Sequence, residues 1–219
     1  MRPENYNPLT LTEPNIDTLS LSLIPENSRV LDLGCSSGYL GNVMCKELGC
    51  TVIGVEKNKK LAAISKKLLT NVIIGDIENS STLRQIAQNG PYDLIFASAV
   101  LEHLVHPEAN VRTLSKQLKR GGSFIITLPN IVHWTARLAI LRGNFTYQDA
   151  GLFDKTHLHF YTLESARAFL RSCQLNSVHE DFEFFGPKLL SPLFRMFPAL
   201  FAYQFVFKAK PNAHAHRKE

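Results

Sequence analysis

The sequence predicts an α/β protein with a parallel sheet that carries helices on both faces. Apolar, β-branched segments alternate with helical segments five times between residues 29 and 128, and such alternation is typical of parallel sheets. A small-residue turn, Gly34–Gly38, joins the first strand to its helix, and the acids Asp32 and Glu56 stand at the ends of the first two strands. Because ligands of open α/β sheets bind beyond the carboxyl ends of the strands, these residues predict a binding site there.

The predicted helices follow from apolar spacing and from capping or breaking residues. Ile16, Leu19 and Leu23 lie on one helical face. Asn58 and Thr162 suit N-cap positions, and Gly121-Gly122 would end the helix predicted at 107–119. We expect helices at 15–23, 38–48, 58–69, 80–88, 107–119, 131–141 and 162–171.

The predicted strands are short apolar runs bounded by turn residues. Pro25–Ser28 precedes the first, Asn89–Pro91 the fourth, and Pro129 ends the fifth, whereas the last strand alternates aromatic and polar residues. We expect strands at 29–33, 51–55, 71–74, 92–97, 123–128, 178–185 and 202–208.

Composition predicts a single globular domain of ordinary character. The chain has 219 residues, of which 45% are hydrophobic and 20% charged. We expect an N-terminal arm and helix at 1–28, the main domain at 29–210 and a flexible tail at 211–219. Much of the net charge of +5 lies near the C-terminus, which does not favour a nucleic-acid partner. We find no secretory signal and no apolar run long enough for a transmembrane segment. The four cysteines lack zinc-ligand spacing. These observations favour a cytoplasmic protein.

The turn after the first strand distinguishes between two cofactor classes. A dinucleotide site requires G-x-G-x-x-G, but Ser36 and Tyr39 replace the second and third glycines counted from Gly34. Asp32 would also repel a pyrophosphate, whereas a cofactor with an ammonium and a sulfonium tolerates it. The stretch from Val30 to Gly41 resembles motif I of the class I S-adenosylmethionine-dependent methyltransferases, with Ser36 as its one departure.

This resemblance covers about Val30 to Phe207. It implies a Rossmann-like, seven-stranded, mostly parallel sheet with one antiparallel strand. It also implies that Glu56 binds the ribose hydroxyls, Asp76 the adenine amino group, and that Ile77 packs on the ring. The segment Phe96–Leu104 is similar to the block that follows the fourth strand in ubiquinone-type O-methyltransferases. The full set of implied cofactor residues is Asp32, Gly34, Cys35, Ser36, Gly38, Glu56, Lys57, Asp76, Ile77, Ser98, Ala99 and His103.

Later motifs resemble one subgroup of predicted methyltransferases, which is similar in part to MetW proteins. They are Pro129-Asn130 with His133, then Gly143–Tyr147, then Gly151–Thr162, where His159 replaces a common arginine. The resemblance implies methyl transfer to a small-molecule or glycan-type acceptor, more readily at oxygen than at nitrogen. A hydroxyl acceptor needs a base, and histidine suits this function. Of His103, His133, His157 and His159 we rank His157 first and His103 second as catalytic residues, and we expect His133 to pack beside Trp134.

Several alternatives compete with this interpretation. Some RNA-modifying relatives hold a divalent ion with E-x-x-E-H and a later histidine, but Ala99 replaces the first glutamate here, so no metal is expected. A non-catalytic, cofactor-binding partner of a biosynthetic enzyme, in the manner of MetW, is the main alternative, and an RNA methyltransferase is a weaker one. The apolar segment 184–201 either covers the sheet edge or forms a peripheral membrane contact. Either a monomer or a homodimer is compatible with the sequence.

Overall fold

A computed structural model describes residues 15–185 and 191–212 and contains one seven-stranded sheet. The strand order is β3-β2-β1-β4-β5-β7-β6, and β7 runs antiparallel to both of its neighbours, whereas the pairs among β1 to β5 are parallel. The strands are β1 (Arg29–Leu33), β2 (Thr51–Glu56), β3 (Asn71–Ile74), β4 (Tyr92–Ser98), β5 (Leu118–Pro129), β6 (Leu175–Phe184) and β7 (Ala202–Pro211). The predicted fold class, with one antiparallel strand, is confirmed.

Four helices in the described part of the chain begin at side chains that cap their first turn. Asn15 and Thr162 form capping boxes, and the Asn58 side chain accepts hydrogen bonds from the backbone of Lys60 and Leu61. The helices are α1 (Ile16–Ser22), α2 (Tyr39–Glu47), α3 (Lys59–Ser65), α4 (Ser80–Asn89), α5 (Pro107–Ser115), α6 (Trp134–Leu141), α7 (Leu163–Ser172), α8 (Ser191–Met196) and α9 (Pro198–Phe201). A short 3-10 turn covers Leu101–His103.

Three helix boundaries differ from the sequence prediction by three residues or more. Helix α5 ends at Ser115 instead of 119 because the buried Leu118 pairs with Tyr92 and already belongs to β5. Helix α3 ends at Ser65 and is followed by turns, and α6 begins only at Trp134, where His133 occupies the N-cap. The pairing of Leu118 and the cap at His133 override the helical spacing of the residues that flank α5 and α6.

The core consists of two apolar layers, one on each face of the sheet. Leu31, Ile95 and Phe124 belong to one layer, and Val30, Leu94 and Phe96 to the other, so neighbouring residues of a strand point to opposite faces. Across the described ranges, no helix has the length and apolar character needed to cross a bilayer. The predicted N-terminal arm lies mostly outside the described residues, as do residues 213–219 of the predicted tail.

The candidate site lies where the strand order reverses. The chain builds β1, β2 and β3 outward in one direction and then returns to place β4 on the other side of β1, which leaves a crevice at the carboxyl ends of β1 and β4. Asp32 on β1 is in register with Gly54 on β2 and Phe96 on β4. The polar residues that follow these strands therefore meet at one edge.

Candidate active site

The loop after β1 is shaped by three left-handed residues. Gly34, Ser36 and Gly38 have φ values of +63°, +51° and +83°, which side chains with a Cβ rarely adopt. A Cβ at Gly34 would lie 2.9 Å from Cγ2 of Val100, and one at Gly38 would lie 2.8 Å from Cβ of Ser65. Glycine is therefore required at both positions for close packing as well as for the turn.

Glu56 holds this loop against the end of β2. One carboxylate oxygen accepts a hydrogen bond from the Ser36 backbone N–H at 3.0 Å, and the other accepts one from the Asn58 N–H at 2.6 Å. The side chain of Glu56 is only 8% exposed. Glu56 therefore has a structural function in addition to the ribose contact that the sequence predicts.

Asp32 and Cys35 are turned into the protein at the base of the loop. Asp32 is 4% exposed and lies close to Gly41 of α2, where an added Cβ would be 3.3 Å from its Oδ2 atom. Cys35 is buried, and its sulfur faces Gly54 and the hydroxyl of Ser65. Burial, and then the charge of Asp32, raises the pKa of the Cys35 thiol. The thiol is therefore uncharged at neutral pH, and Cys35 shapes the loop without presenting a reactive group.

The segment after β3 contributes two predicted residues, Asp76 and Ile77, and one that the sequence did not predict, Glu78. Asp76 accepts a hydrogen bond from the Glu78 N–H, and Ile77 is 7% exposed at the rim of the core. Glu78 in turn accepts from the backbone N–H groups of Val105 and His106, so it fixes the start of α5. Sequence reasoning missed this function because its partners lie 27 and 28 residues away.

The segment after β4 is strained and supported from β5. Ala99 has a φ of +53°, an uncommon conformation for alanine. Thr127, which is fully buried, accepts a hydrogen bond from the Ala99 N–H at 2.9 Å and lies 3.3 Å from the Ser98 hydroxyl. Thr127 therefore holds the strained turn that leads into Leu101–His103, and no sequence motif marked it.

Two of the four candidate histidines come together. The ring centroids of His103 and His157 are 4.8 Å apart. His103 also contacts Thr156, the residue before His157, which lies 53 residues further along the chain. Burial lowers the pKa of both rings, and for His157 the proximity of His103 lowers it further. Both histidines are therefore neutral near pH 7, which is the form that accepts a proton.

Glu102 completes a cluster with these histidines. It is 2% exposed, and ligand atoms of Glu102, His103 and His157 lie within 4.8 Å of one another. Two imidazoles and a carboxylate are also the donor set of many zinc sites. The Glu102 carbonyl accepts hydrogen bonds from the N–H groups of Leu158 and His159, and these bonds fix the loop 151–160 over the end of β4.

The other polar candidates have structural surroundings. His133 is 3% exposed, caps α6 and contacts Thr135, Trp134 and Tyr203, in line with the packing function expected for it. His159 stacks on Tyr161 with centroids 6.4 Å apart. Lys57 is exposed at the end of β2, near enough to His103 to lower the pKa of that ring.

The site suits a nucleotide-type cofactor that carries positive charge. Two nearly buried carboxylates, Asp32 and Glu56, lie at the crevice, and the exposed Gly34 provides bare backbone between them. A negative environment of this kind favours a sulfonium and an ammonium and disfavours a pyrophosphate. Fold and site together define the class I, S-adenosylmethionine-dependent methyltransferases.

A family model described as a methyltransferase domain matches residues 9–180, and the chain belongs to this family. Its cofactor is accordingly S-adenosylmethionine. The malonyl-[acyl-carrier protein] O-methyltransferase of Priestia megaterium is 30% identical over 117 residues, which cover 51% of this chain and 40% of that protein. The ubiquinone biosynthesis O-methyltransferase of Aliivibrio fischeri is 30% identical over 125 residues, 52% of each chain. The chain thus spans about half the length of these relatives.

The fold is also that of a solved structure. A SAM-dependent methyltransferase from Archaeoglobus fulgidus superposes with a TM-score of 0.59 at 20% sequence identity, over 83% of this chain and 85% of that one. At this identity the similarity concerns the fold alone. The sequence prediction of the enzyme class and of its cofactor is confirmed by the family match.

Proposed function

We propose that this protein transfers the methyl group of S-adenosylmethionine to an oxygen of a small-molecule or glycan-type acceptor. The observation that carries the proposal is the pair of neutral imidazoles, His103 and His157, beside the cofactor crevice. Two relatives that are named O-methyltransferases support transfer to oxygen. An oxygen acceptor must lose a proton as the new bond forms, and a neutral histidine accepts it.

The strand-end residues are the proposed cofactor ligands. Asp32 and Glu56 would bind the ammonium and the ribose hydroxyls, and Asp76 the adenine amino group, with Ile77 against the ring. The loop Gly34–Gly38 and the Ser98–Ala99 backbone would border the methionine moiety. The bound cofactor supplies an already activated methyl group, so these residues mainly orient it and exclude water.

The exposed side chains of the apolar segment 184–201 support contact with a lipid surface or a lipid-linked acceptor. In its described part, Phe185, Leu193, Met196 and Phe197 are 58%, 45%, 71% and 51% exposed. Large apolar side chains exposed together favour partition to an interface. Co-sedimentation with anionic vesicles tests this surface. If a Met196→Ser, Phe197→Ser variant sediments with the vesicles to the same extent as the parent, the proposed lipid contact is refuted. Residues 186–190 of the segment lie outside the described residues.

Calorimetric titration with S-adenosylmethionine and S-adenosylhomocysteine tests the cofactor site. We expect binding by the unaltered chain and its loss in the Asp32→Ala, Glu56→Ala variant. An Asp149→Ala, Glu164→Ala variant removes the same charge from side chains that are 90% and 75% exposed, and it should bind like the parent. No binding by the unaltered chain would refute the enzyme and favour a protein partner instead.

Release of S-adenosylhomocysteine in the presence of phenols and sugars then tests transfer. Of His103→Gln and His157→Gln, the variant that removes the base should lose turnover by about 10²- to 10⁴-fold, the usual contribution of a general base. Turnover equal to that of the unaltered chain in both variants would exclude histidine catalysis. Turnover only with RNA, accompanied by strongly salt-dependent binding, would shift the acceptor class to nucleic acid.

A further inference from the structure

The loop that covers the histidine pair is organised around one buried carboxylate. Asp154 is 6% exposed, and its Oδ1 atom accepts hydrogen bonds from both the backbone N–H and the hydroxyl of Thr156, each at 2.7 Å. Its own backbone N–H donates to the Gly151 carbonyl, and its carbonyl accepts from the His157 N–H. Asp154 therefore fixes both the main chain and the side chain of Thr156.

Thr156 passes this constraint to His103. The Thr156 carbonyl oxygen and its hydroxyl oxygen each lie 3.1 Å from Nδ1 of His103. A carbonyl oxygen can only accept a hydrogen bond, and the hydroxyl proton is directed to Asp154, so both oxygens present lone pairs. Nδ1 must then carry the proton of the neutral ring, and Nε2 is left with its lone pair.

We propose that Asp154 and Thr156 are positioning residues that hold His103 in the Nδ1-protonated tautomer and so make Nε2 the proton acceptor for the methyl-transfer step. The inference rests on the proposed function for its catalytic meaning, but the tautomer itself is a property of the protein alone. It gives His103 the function for which the sequence ranked His157 first. Nδ1 of His157 is buried and has no hydrogen-bond partner among the described residues, whereas the His157 ring does bond to the Leu152 backbone. The loop therefore does not hold Nδ1 of His157 as it holds Nδ1 of His103.

The proton balance of the step is straightforward. The acceptor oxygen forms a bond to the methyl carbon, the carbon–sulfur bond breaks, and the sulfur keeps the electron pair. The acceptor's proton moves to Nε2, which makes His103 an imidazolium with a proton on each nitrogen. The nearby charge of Asp154 stabilises this cation, and the proton then leaves to water.

The charges around His103 determine how this group titrates. Burial lowers the pKa of His103, Asp154 from the covering loop raises it, and Lys57 from the end of β2 lowers it. His157 and Glu102 also face the ring within the cluster. The pKa of Asp154 itself stays below its ordinary value, because the hydrogen bonds from Thr156 outweigh the opposing effect of burial. Asp154 is therefore ionised at neutral pH, and its removal should lower the pKa of His103.

Nitrogen-15 NMR of the histidine rings tests the proposal without any acceptor. At pH 8 the unaltered chain should show a protonated-type Nδ1 and an unprotonated-type Nε2 for His103. Asp154→Ala should lose this single tautomer, whereas Asp154→Asn should keep it and titrate at a lower pH than the parent. Asp149→Ala removes a 90% exposed carboxylate that lies just before this loop, and its spectrum should match that of the parent.

Several results would overturn the proposal. One is an Nε2-protonated His103 in the unaltered chain, and another is an Asp154→Asn variant that titrates like the parent. If Asp154→Ala does not fold, the titration of Asp154→Asn decides. Methyl transfer to catechol, measured with labelled cofactor, is followed separately, and Asp154→Ala should lower kcat by about 10-fold or more with unchanged cofactor affinity. If Asp154→Ala lowers kcat without changing the tautomer or the pKa of His103, Asp154 is a merely structural residue. If the unaltered chain holds the His103 tautomer but transfers no methyl group to any acceptor, only the proposed function is refuted.

Discussion

Asn130, at the carboxyl end of β5, allows a structural function to be separated from a function in substrate binding. Its side chain is completely buried. The amide nitrogen donates to the carbonyls of Ala199 and Ala202 at 3.1 and 2.7 Å, and the amide oxygen accepts from the Val132 N–H at 3.2 Å. The side chain therefore joins three segments, and we expect Asn130→Ala to reduce stability.

The size of the effect follows from the groups left without partners. The Ala202 carbonyl lies in a buried bond, and losing its partner costs about 1–3 kcal/mol. The other two bonds are partly buried, so water can replace part of each, at about 0.5–1.5 kcal/mol apiece. The free energy of unfolding should fall by about 2–6 kcal/mol, which corresponds to a Tm lower by roughly 5–20 °C for a domain of this size.

Urea unfolding followed by circular dichroism measures this difference. Asn176→Ala on β6 is the matched control, because that asparagine is exposed and the change should stay within about 0.5 kcal/mol. A loss below about 1 kcal/mol in Asn130→Ala, together with a large fall in kcat, would refute the reasoning. Asn130 would then act on the acceptor, as its place in the Pro129-Asn130 motif also permits.

Other predictions concern the cofactor loop, the histidines and the cysteines. Glu56→Gln keeps the size of the side chain but loses its charge and one acceptor oxygen. The Kd for S-adenosylmethionine, measured by calorimetry, should therefore rise by about 10-fold. An unchanged Kd would show that Glu56 only supports the loop and does not bind the cofactor. Because burial lowers the pKa of His103 and of His157, kcat/KM should rise with pH through a midpoint below the ordinary histidine value of about 6.5 and then level off. A midpoint above that value would contradict neutral, buried bases. Alkylation followed by mass spectrometry should modify the half-buried Cys45 first and Cys35 only on unfolding, since the Cys35 thiol is buried with a raised pKa. Turnover should be unchanged by EDTA. If EDTA abolishes turnover and a divalent metal restores it, Glu102, His103 and His157 are the candidate metal ligands.

The sheet and its cofactor edge could be predicted because their signals are local. Each of the first five strands is an apolar run bounded by turn residues, and Gly34, Gly38 and Asn58 mark conformations that few other residues allow or favour. The boundaries of α5 and β5 could not be predicted in the same way. Leu118 fits a helical face, but its pairing with Tyr92 places it in the sheet, and that pairing depends on a distant segment.

The candidate site was predictable in its residue types but not in its contacts. Sequence reasoning placed His103 after β4 and His157 in a covering loop, and only the structure brings their rings to 4.8 Å. The supporting side chains Glu78 and Thr127 carry no motif of their own, and the motif that contains Thr156 does not indicate its partner. Each of the three acts on a segment at least 27 residues away. Chemistry-bearing residues are therefore recognisable by type, whereas the residues that hold them are recognisable only by geometry.

This arrangement affects how mutations at the site should be interpreted. Glu56 accepts hydrogen bonds from the backbone of the loop that is also expected to border the cofactor. Asp154 positions His103 through the hydrogen bonds of Thr156, and its charge also acts on the His103 ring. An alanine variant at either acid removes the support and the charge together, so a loss of binding or turnover alone assigns no function to it. The isosteric amide preserves the shape and changes the charge, as in Glu56→Gln and Asp154→Asn. A difference between the alanine and the amide variant at the same position therefore measures positioning, and what both variants lose in common measures charge.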